Sequence, residues 1–236
     1  VAGTAAGGCG RAPRDGVRDH PVTVGIIDTG FTSTGPAAFV DEDLSTSVVS
    51  GDRTLHDADG HGTEMAWIVH RAAPQARVAV VKVYDAGGAT TDARIAAGIE
   101  HLERAGATIV LISLAGAEPL PRTYRAIRAA RGLTVYAAAG NDGLDLDHAA
   151  SYPGGYRLPN LVTVAAVGRD GHLLATSNRG GTVSRHALGA IATCSPQRED
   201  VVANGTSAAA ALTAGRAAAP AGADQPPTPA ECAAPA

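Results

Sequence analysis

Short apolar runs alternate with amphipathic helical patterns through the middle of this chain, and that alternation restricts the fold more than any other feature. The segments 22–27, 78–83, 108–114, 134–138 and 161–167 are rich in Val, Ile, Leu and Ala and too short for helices. Runs of this kind read as strands buried on both faces. Between the first four lie helical patterns at 63–72, 92–104 and 123–131. In the second of these, Ile95, Ile99 and Leu102 recur every three or four residues while Glu100, Glu103 and Arg104 fall on the other side, so one face packs on a sheet. Strands joined by crossover helices predict an α/β protein of three layers, a mostly parallel central sheet with helices on both faces. In such sheets the chemistry gathers beyond the carboxyl ends of the strands.

A chain of 236 residues is served by one hydrophobic core. The expected organisation is a loose, Gly- and Ala-rich arm at 1–20, a folded domain at 21–219 and a Pro/Ala-rich tail at 220–236. The charge balance, 19 basic against 23 acidic residues, includes no basic stripe that would follow phosphates, so nucleic acid is not an expected partner. No run approaches the roughly eighteen apolar residues of a membrane span. The chain starts at Val1 without a charged, then apolar, leader, so no export signal is read in it. Its cysteines, Cys9, Cys194 and Cys232, form no CxxC pair; they permit one disulfide and a spare thiol, with a tie between the two tails, Cys9 to Cys232, among the choices.

Four positions carry chemistry. Asp28 closes an apolar strand in Ile27-Asp28-Thr29-Gly30, where a carboxylate can orient a base; the alternatives are a turn-forming Asp and half of an aspartic protease, which needs two such motifs where this chain has one. His61, in Asp57-Ala58-Asp59-Gly60-His61-Gly62-Thr63, stands at a helix start with glycines leaving room for a substrate; Asp57 or Asp59 then caps the helix, and metal ligation by His56, Asp59 and His61 is the competing reading. Ser207 follows Asn204-Gly205-Thr206 and opens a small, apolar, buried helix, which suits a nucleophile whose own N–H points outward; the same residues form a glycosylation sequon. Asn141 ends Ala138-Ala139-Gly140-Asn141, where its amide could donate to an oxyanion or simply make a turn.

Their order, Asp, His, Asn, Ser, each beyond a strand or at a helix start, resembles the subtilisin-like serine proteases, or subtilases, over about residues 21 to 217. The motifs that carry the resemblance are Ile27-Asp28-Thr29-Gly30, Gly60-His61-Gly62-Thr63, Ser113-Leu114-Ala115-Gly116, Ala138-Ala139-Gly140-Asn141 and Asn204-Gly205-Thr206-Ser207, with a fainter echo at Ser177-Asn178. The resemblance implies a serine endopeptidase acting on polypeptides through an acyl-enzyme. Asp28, His61 and Ser207 would form the triad, with Asn141 and the Ser207 N–H as oxyanion donors and Thr206 in support. It further implies that Ser113, Leu114, Ala115, Gly116, Ala139 and Gly140 wall the primary pocket and pair with substrate backbone, with Ser151 at the floor and Asp142 at the rim. No cofactor is implied. An inhibitory pro-segment or partner chain would fit, as would a secreted or periplasmic location.

The chain departs from the family pattern in several places. Glu64 stands for the His after His-Gly-Thr, Trp67 for a Gly, Ala115 for a Gly, and Ala208 and Ala211 for the Met and Pro after the nucleophile. The segment before Val81-Lys82-Val83 lacks the Asn-rich loop that binds calcium in many relatives, so no metal is expected there. The chain after Ser207 is short, leaving the family's last helix and strand absent or supplied by a partner. These departures keep open an inactive scaffold used for binding and a peptide ligase or macrocyclase built on the same acyl-enzyme.

Overall fold

The computed structural model describes residues 21–33, 39–196 and 198–220. The expected arm at 1–20 and the tail beyond Pro220 lie outside the described residues. In chain order the strands are β1 (Thr23–Asp28), β2 (Thr46–Ser47), β3 (Arg77–Lys82), β4 (Ile109–Ile112), β5 (Thr134–Ala138), β6 (Leu161–Val167), β7 (Val183–Leu188), β8 (Ala190–Ser195) and β9 (Arg198–Asn204). The helices are α1 (His61–Ala72), α2 (Asp92–Arg104), α3 (Pro121–Ala129) and α4 (Thr206–Ala218). Strands β1 to β7 form one parallel sheet in the order β2-β3-β1-β4-β5-β6-β7, while β8 and β9 pair antiparallel as a separate hairpin.

The α/β reading therefore holds, with helices on both faces, and the two faces divide the core. Side chains of successive strand residues point to opposite sides, so Val24 and Ile26 of β1 join Val78, Val80, Ile109 and Leu111 beneath α1 and α4. Ile27 joins Val81, Val110, Ile112 and Val135 beneath α2 and α3. Helix α4 lies across β4, β5 and β6 and against α1. Its residues Ala208 to Ala211 are fully buried, and side chains this small allow a helix to sit close to sheet and neighbour alike.

The strand order steps from β1 out to β3, then returns past β1 to β4. Such a reversal opens a crevice at the carboxyl ends of the two central strands, and Asp28 is the last residue of β1. Register completes the placement: Ile27 lies level with Ile112, and Ile112 level with Ala137. Ser113 and the Ala138–Asn141 segment consequently leave the sheet beside Asp28, and α1 and α4 begin over the same edge. The hairpin contributes Cys194, which is fully buried and disulfide-bonded. Cys9 and Cys232, and with them the expected tie between the two tails, lie outside the described residues.

Candidate active site

Asp28 is almost wholly buried, and every oxygen of its carboxylate is occupied. Oδ1 accepts from the His61 Nδ1 at 2.8 Å and from the Thr29 N–H at 2.7 Å, while Oδ2 accepts from the Ser113 hydroxyl. A carboxylate only accepts, so the His61 proton sits on Nδ1 and the Nε2 lone pair is left to take another. Burial pushes Asp28 upward, but the charge of His61 and the three hydrogen bonds outweigh it and hold the acid below its ordinary value. The same attraction runs the other way: the Asp28 carboxylate, against the opposing effect of burial and with help from Glu64 and Asp59, raises His61 to about 9.

The His61 turn is clamped from beneath by Asp57, whose side chain is completely buried. Its Oδ1 accepts from Gly60 N–H at 2.9 Å, and its Oδ2 accepts from Thr63 N–H at 2.9 Å and Thr63 Oγ1 at 2.7 Å. The bonds thus fall on both sides of His61. Thr63 Oγ1 also accepts from Thr32 N–H at 3.0 Å, and Thr29 Oγ1 accepts from Gly62 N–H at 2.8 Å, which ties the turn to the chain leaving β1. A Cβ at Gly62 would stand 2.3 Å from the Gly30 carbonyl oxygen, so the approach requires glycine. Of the two capping candidates, Asp57 and Asp59, the first holds the N–H groups of Gly60 and Thr63 and the second that of His61.

Ser207 is the second residue of α4, in the turn whose N–H groups have no acceptor within the helix. Its hydroxyl donates to the Ser113 carbonyl at 2.9 Å, and no hydrogen bond to His61 is formed in this conformation. Ser113 therefore touches both halves of the site, its hydroxyl on Asp28 and its carbonyl on Ser207. It is 5% exposed, and its hydroxyl braces the Asp28 carboxylate.

Asn141 is exposed at the far side, and its Oδ1 accepts from the N–H and hydroxyl of Thr206 at 2.9 and 3.1 Å. The Thr206 oxygen in turn accepts from Gly140 N–H at 3.1 Å. With its oxygen fixed, the Asn141 amide nitrogen is the end that remains to donate. Gly205 has φ +88, and a Cβ there would lie 2.6 Å from Asn141 Oδ1, so only glycine lets the two segments meet.

The remaining expected wall residues divide. Leu114 is half-buried and Ala115 and Gly116 are exposed, with Gly116 paired to Tyr152. Ala139 and Gly140 have all four backbone polar groups engaged internally, by Val164, Ser151, Asn178 and Thr206. They therefore have no backbone group left unbonded to pair with another strand. Asn178, fully buried, is the organiser of this loop: it donates to the Ala139 carbonyl and accepts from the N–H groups of Asp142 and Leu144. In the sequence, Ser177-Asn178 is only a faint echo of the family pattern. Ser151 lies beneath, its hydroxyl on the Ala139 carbonyl at 3.1 Å. Among the described residues no group of three or more His, Cys, Asp or Glu is placed to hold a metal ion.

Three comparisons with known proteins bear on the family and the fold. The model of the Subtilase family matches residues 19–231. Subtilisin DY of Bacillus licheniformis is 30% identical over 218 residues, covering 86% of this chain and 77% of its own. Among solved structures, a cold adapted subtilisin-like serine proteinase superposes with a TM-score of 0.72 at 26% identity, covering 84% of this chain and 74% of its own. A lanthipeptide protease shares the fold with a TM-score of 0.77 at 23% identity, covering 84% and 73%. The chain belongs to the subtilase family and is a subtilisin-like serine endopeptidase.

Proposed function

We propose that Asp28, His61 and Ser207 act as the triad of this peptidase, with Asn141 and the Ser207 N–H receiving the oxyanion. The observation that carries the reading is the 2.8 Å bond from His61 Nδ1 to a buried carboxylate at the carboxyl edge of the sheet, which leaves the Nε2 lone pair to take a proton. In this reading the Ser207 hydroxyl leaves the Ser113 carbonyl and turns to that nitrogen. Ser207 Oγ then bonds to the peptide carbonyl carbon as its proton passes to Nε2, and the C–N bond breaks as His61 returns the proton to the departing amine. Water, losing its proton to His61 in the same way, releases the acyl group. The charge that builds on the carbonyl oxygen is met by donors already oriented, which is where such sites gain most of their rate.

The substrate in this reading is a polypeptide bound as an extended strand along residues 114 and 115. The disulfide at Cys194 supports a secreted or periplasmic location, where such bonds persist; among the described residues no helix is long and apolar enough to cross a membrane. An inhibitory pro-segment would occupy the same strand position. Nothing in the geometry favours an inactive scaffold or a ligase. The test is labelling by a fluorophosphonate together with peptide hydrolysis followed by mass spectrometry. Label on Ser207, lost in Ser207→Ala, and products carrying one added water are expected; an unlabelled, folded protein would refute the triad, and joined peptides would refute hydrolysis.

A further inference from the structure

The chain's two phenylalanines and its single tryptophan meet at one place on the surface. The rings of Phe31 and Phe39 stand edge to face with centres 5.4 Å apart, those of Phe39 and Trp67 at 4.7 Å, and His70 lies flat on Phe39 at 4.2 Å. All four are half-buried. On α1, Glu64, Trp67 and Arg71 recur at three and four residues and are half-buried, whereas Met65, Ala66 and Val69 point into the core. Trp67 thus stands midway along the outer strip of the helix. The Arg71 guanidinium donates to the Ala192 carbonyl at 2.6 Å, and among the described residues it has no acidic partner.

The two ends of this strip are marked by the chain itself. Helix α4 finishes beside the end of α1: Gln75 Nε2 donates to the Ala218 carbonyl at 3.5 Å, and a Cβ on Gly215 would stand 2.7 Å from that of Ala72. Cys194 lies at the other end. Its neighbour Thr193 donates to the Glu64 carbonyl at 3.1 Å, and the Ser195 hydroxyl bonds to the Glu64 carboxylate, both in the first turn of α1. Cys194 is buried and disulfide-bonded, and the chain offers it two partners, Cys9 and Cys232.

Reach, composition and charge favour Cys232. A chain leaving Pro220 for Cys194 has to travel the length of α1, about 18 Å, and the twelve steps from Pro220 to Cys232 span about 37 Å when extended as polyproline. Pro226 is midway between Pro220 and Cys232, as Trp67 is midway along the helix, and Pro227 and Pro229 follow it. Proline-rich segments hold an extended form before they bind and so dock on aromatic faces at little entropic cost. Residues 221–236 include Asp224 and Glu231 and no Lys or Arg, which suits Arg71; the segment with Cys9 carries Arg11, Arg14 and Arg18.

We propose that residues 221–232 run back along the outer strip of α1, with Pro226, Pro227 and Pro229 packed on Trp67 and its ring neighbours Phe39 and His70, and with Cys232 bonded to Cys194. The aromatic cluster is then a docking surface for the chain's own tail, tethered at both ends over the helix that begins with His61.

The first test is peptide mapping of the unreduced protein, alkylated with N-ethylmaleimide and read by mass spectrometry. One linked pair joining Cys194 to Cys232 is expected, with the maleimide on Cys9. A Cys194–Cys9 pair would give the surface to the arm at 1–20, and a bond between two copies would give it to a dimer; either overturns the proposal. Trp67, as the only tryptophan, then reports the docking. In Ser207→Ala, used so that hydrolysis cannot free the tail, replacing Pro226, Pro227 and Pro229 together by Gly is expected to shift its emission to longer wavelength and to raise quenching by acrylamide while the linked pair persists. Cys232→Ser should do the same and lower the melting temperature by about 5–10 °C. Emission and quenching unchanged by the proline replacements would refute the docking even where the linked pair is found.

Discussion

The two halves of the site are prepared to different degrees. On one side Asp28 and His61 are joined at 2.8 Å, braced by Ser113 and Thr29, and held by the Asp57 clamp under the His61 turn. On the other, Asn141 is locked onto Thr206, yet the Ser207 hydroxyl rests on the Ser113 carbonyl. In the proposed mechanism the difference follows from what each group would do. An acid that fixes a tautomer and an amide that awaits an oxyanion work best when rigid, because reorganisation during reaction costs rate. A nucleophile must travel to the substrate carbon, and a hydroxyl with a weak neutral partner can be released by one bond rotation.

The largest effect expected is therefore the loss of the moving part. Ser207→Ala should lower kcat by about 10⁶, the scale set by subtilisin itself, while leaving the melting temperature nearly unchanged. His61→Ala should cost a similar factor, and the double variant no more than either single one, since the two act as a unit. Hydrolysis rates titrated against active-site concentration check this. A double variant losing the product of the two single losses would mean that the halves work independently.

Next is the oxyanion arm. Asn141→Leu should reduce kcat by about 10² to 10³, again a subtilisin-derived range, with KM little altered because the donor acts on charge present only in the transition state. Steady-state kinetics on one peptide separates the two constants. A rise in KM at constant kcat would instead make Asn141 a ground-state contact.

The clamp yields a smaller change in rate and a measurable one in stability. Asp57→Ala leaves the N–H groups of Gly60 and Thr63 and the Thr63 hydroxyl without their buried acceptor, which should cost about 2–5 kcal/mol in denaturant unfolding. Because the clamp holds His61 rather than the hairpin, the downfield Nδ1 proton of His61 should broaden in proton NMR while Cys194 stays oxidised. An unchanged proton signal would make Asp57 a cap and nothing more.

These four residues also mark how far the sequence could be read. Strands β1, β3, β4, β5 and β6 announce themselves because both faces are buried and their residues run apolar without interruption. Strand β7 carries no such signal because Ser184, Arg185 and His186 are exposed at the sheet edge, and the β8–β9 hairpin carries none because it lies outside the main sheet. Asp28, His61, Asn141 and Ser207 were legible as positions, since each follows a strand or starts a helix. The direction of a side chain was not. That the Ser113 hydroxyl turns onto Asp28 depends on Ile27 lying level with Ile112, a matter of register between strands eighty residues apart in sequence. Asn178 and Asp57 share that limit: a buried polar residue declares its partners only once the chain is folded around it.

The smallest expected effect tests the pairing of Asp28 with His61 through pH. His61 is raised from about 6.5 to about 9, so the folded protein holds its proton more tightly than the unfolded chain does. The stabilisation from this group is thus fully present below pH 6.5 and is lost as pH rises through about 9. Its side chain is 34% exposed, so solvent screening keeps the amount modest and a shift of a few degrees in melting temperature is the appropriate expectation. Activity runs opposite, because Ser207 needs the neutral imidazole: kcat/KM should rise with pH along a limb displaced above 6.5. Asp28→Asn removes the charge responsible. Both the fall in melting temperature between pH 6.5 and 9 and the displacement of the limb should shrink together in that variant. If the limb moves and the melting curve does not, the group titrating in the kinetics is not the one that Asp28 holds in the fold, and the rigid half of the site would have to be redrawn around another acid, with Glu64, half-buried and raised by burial in the first turn of α1, the next to replace.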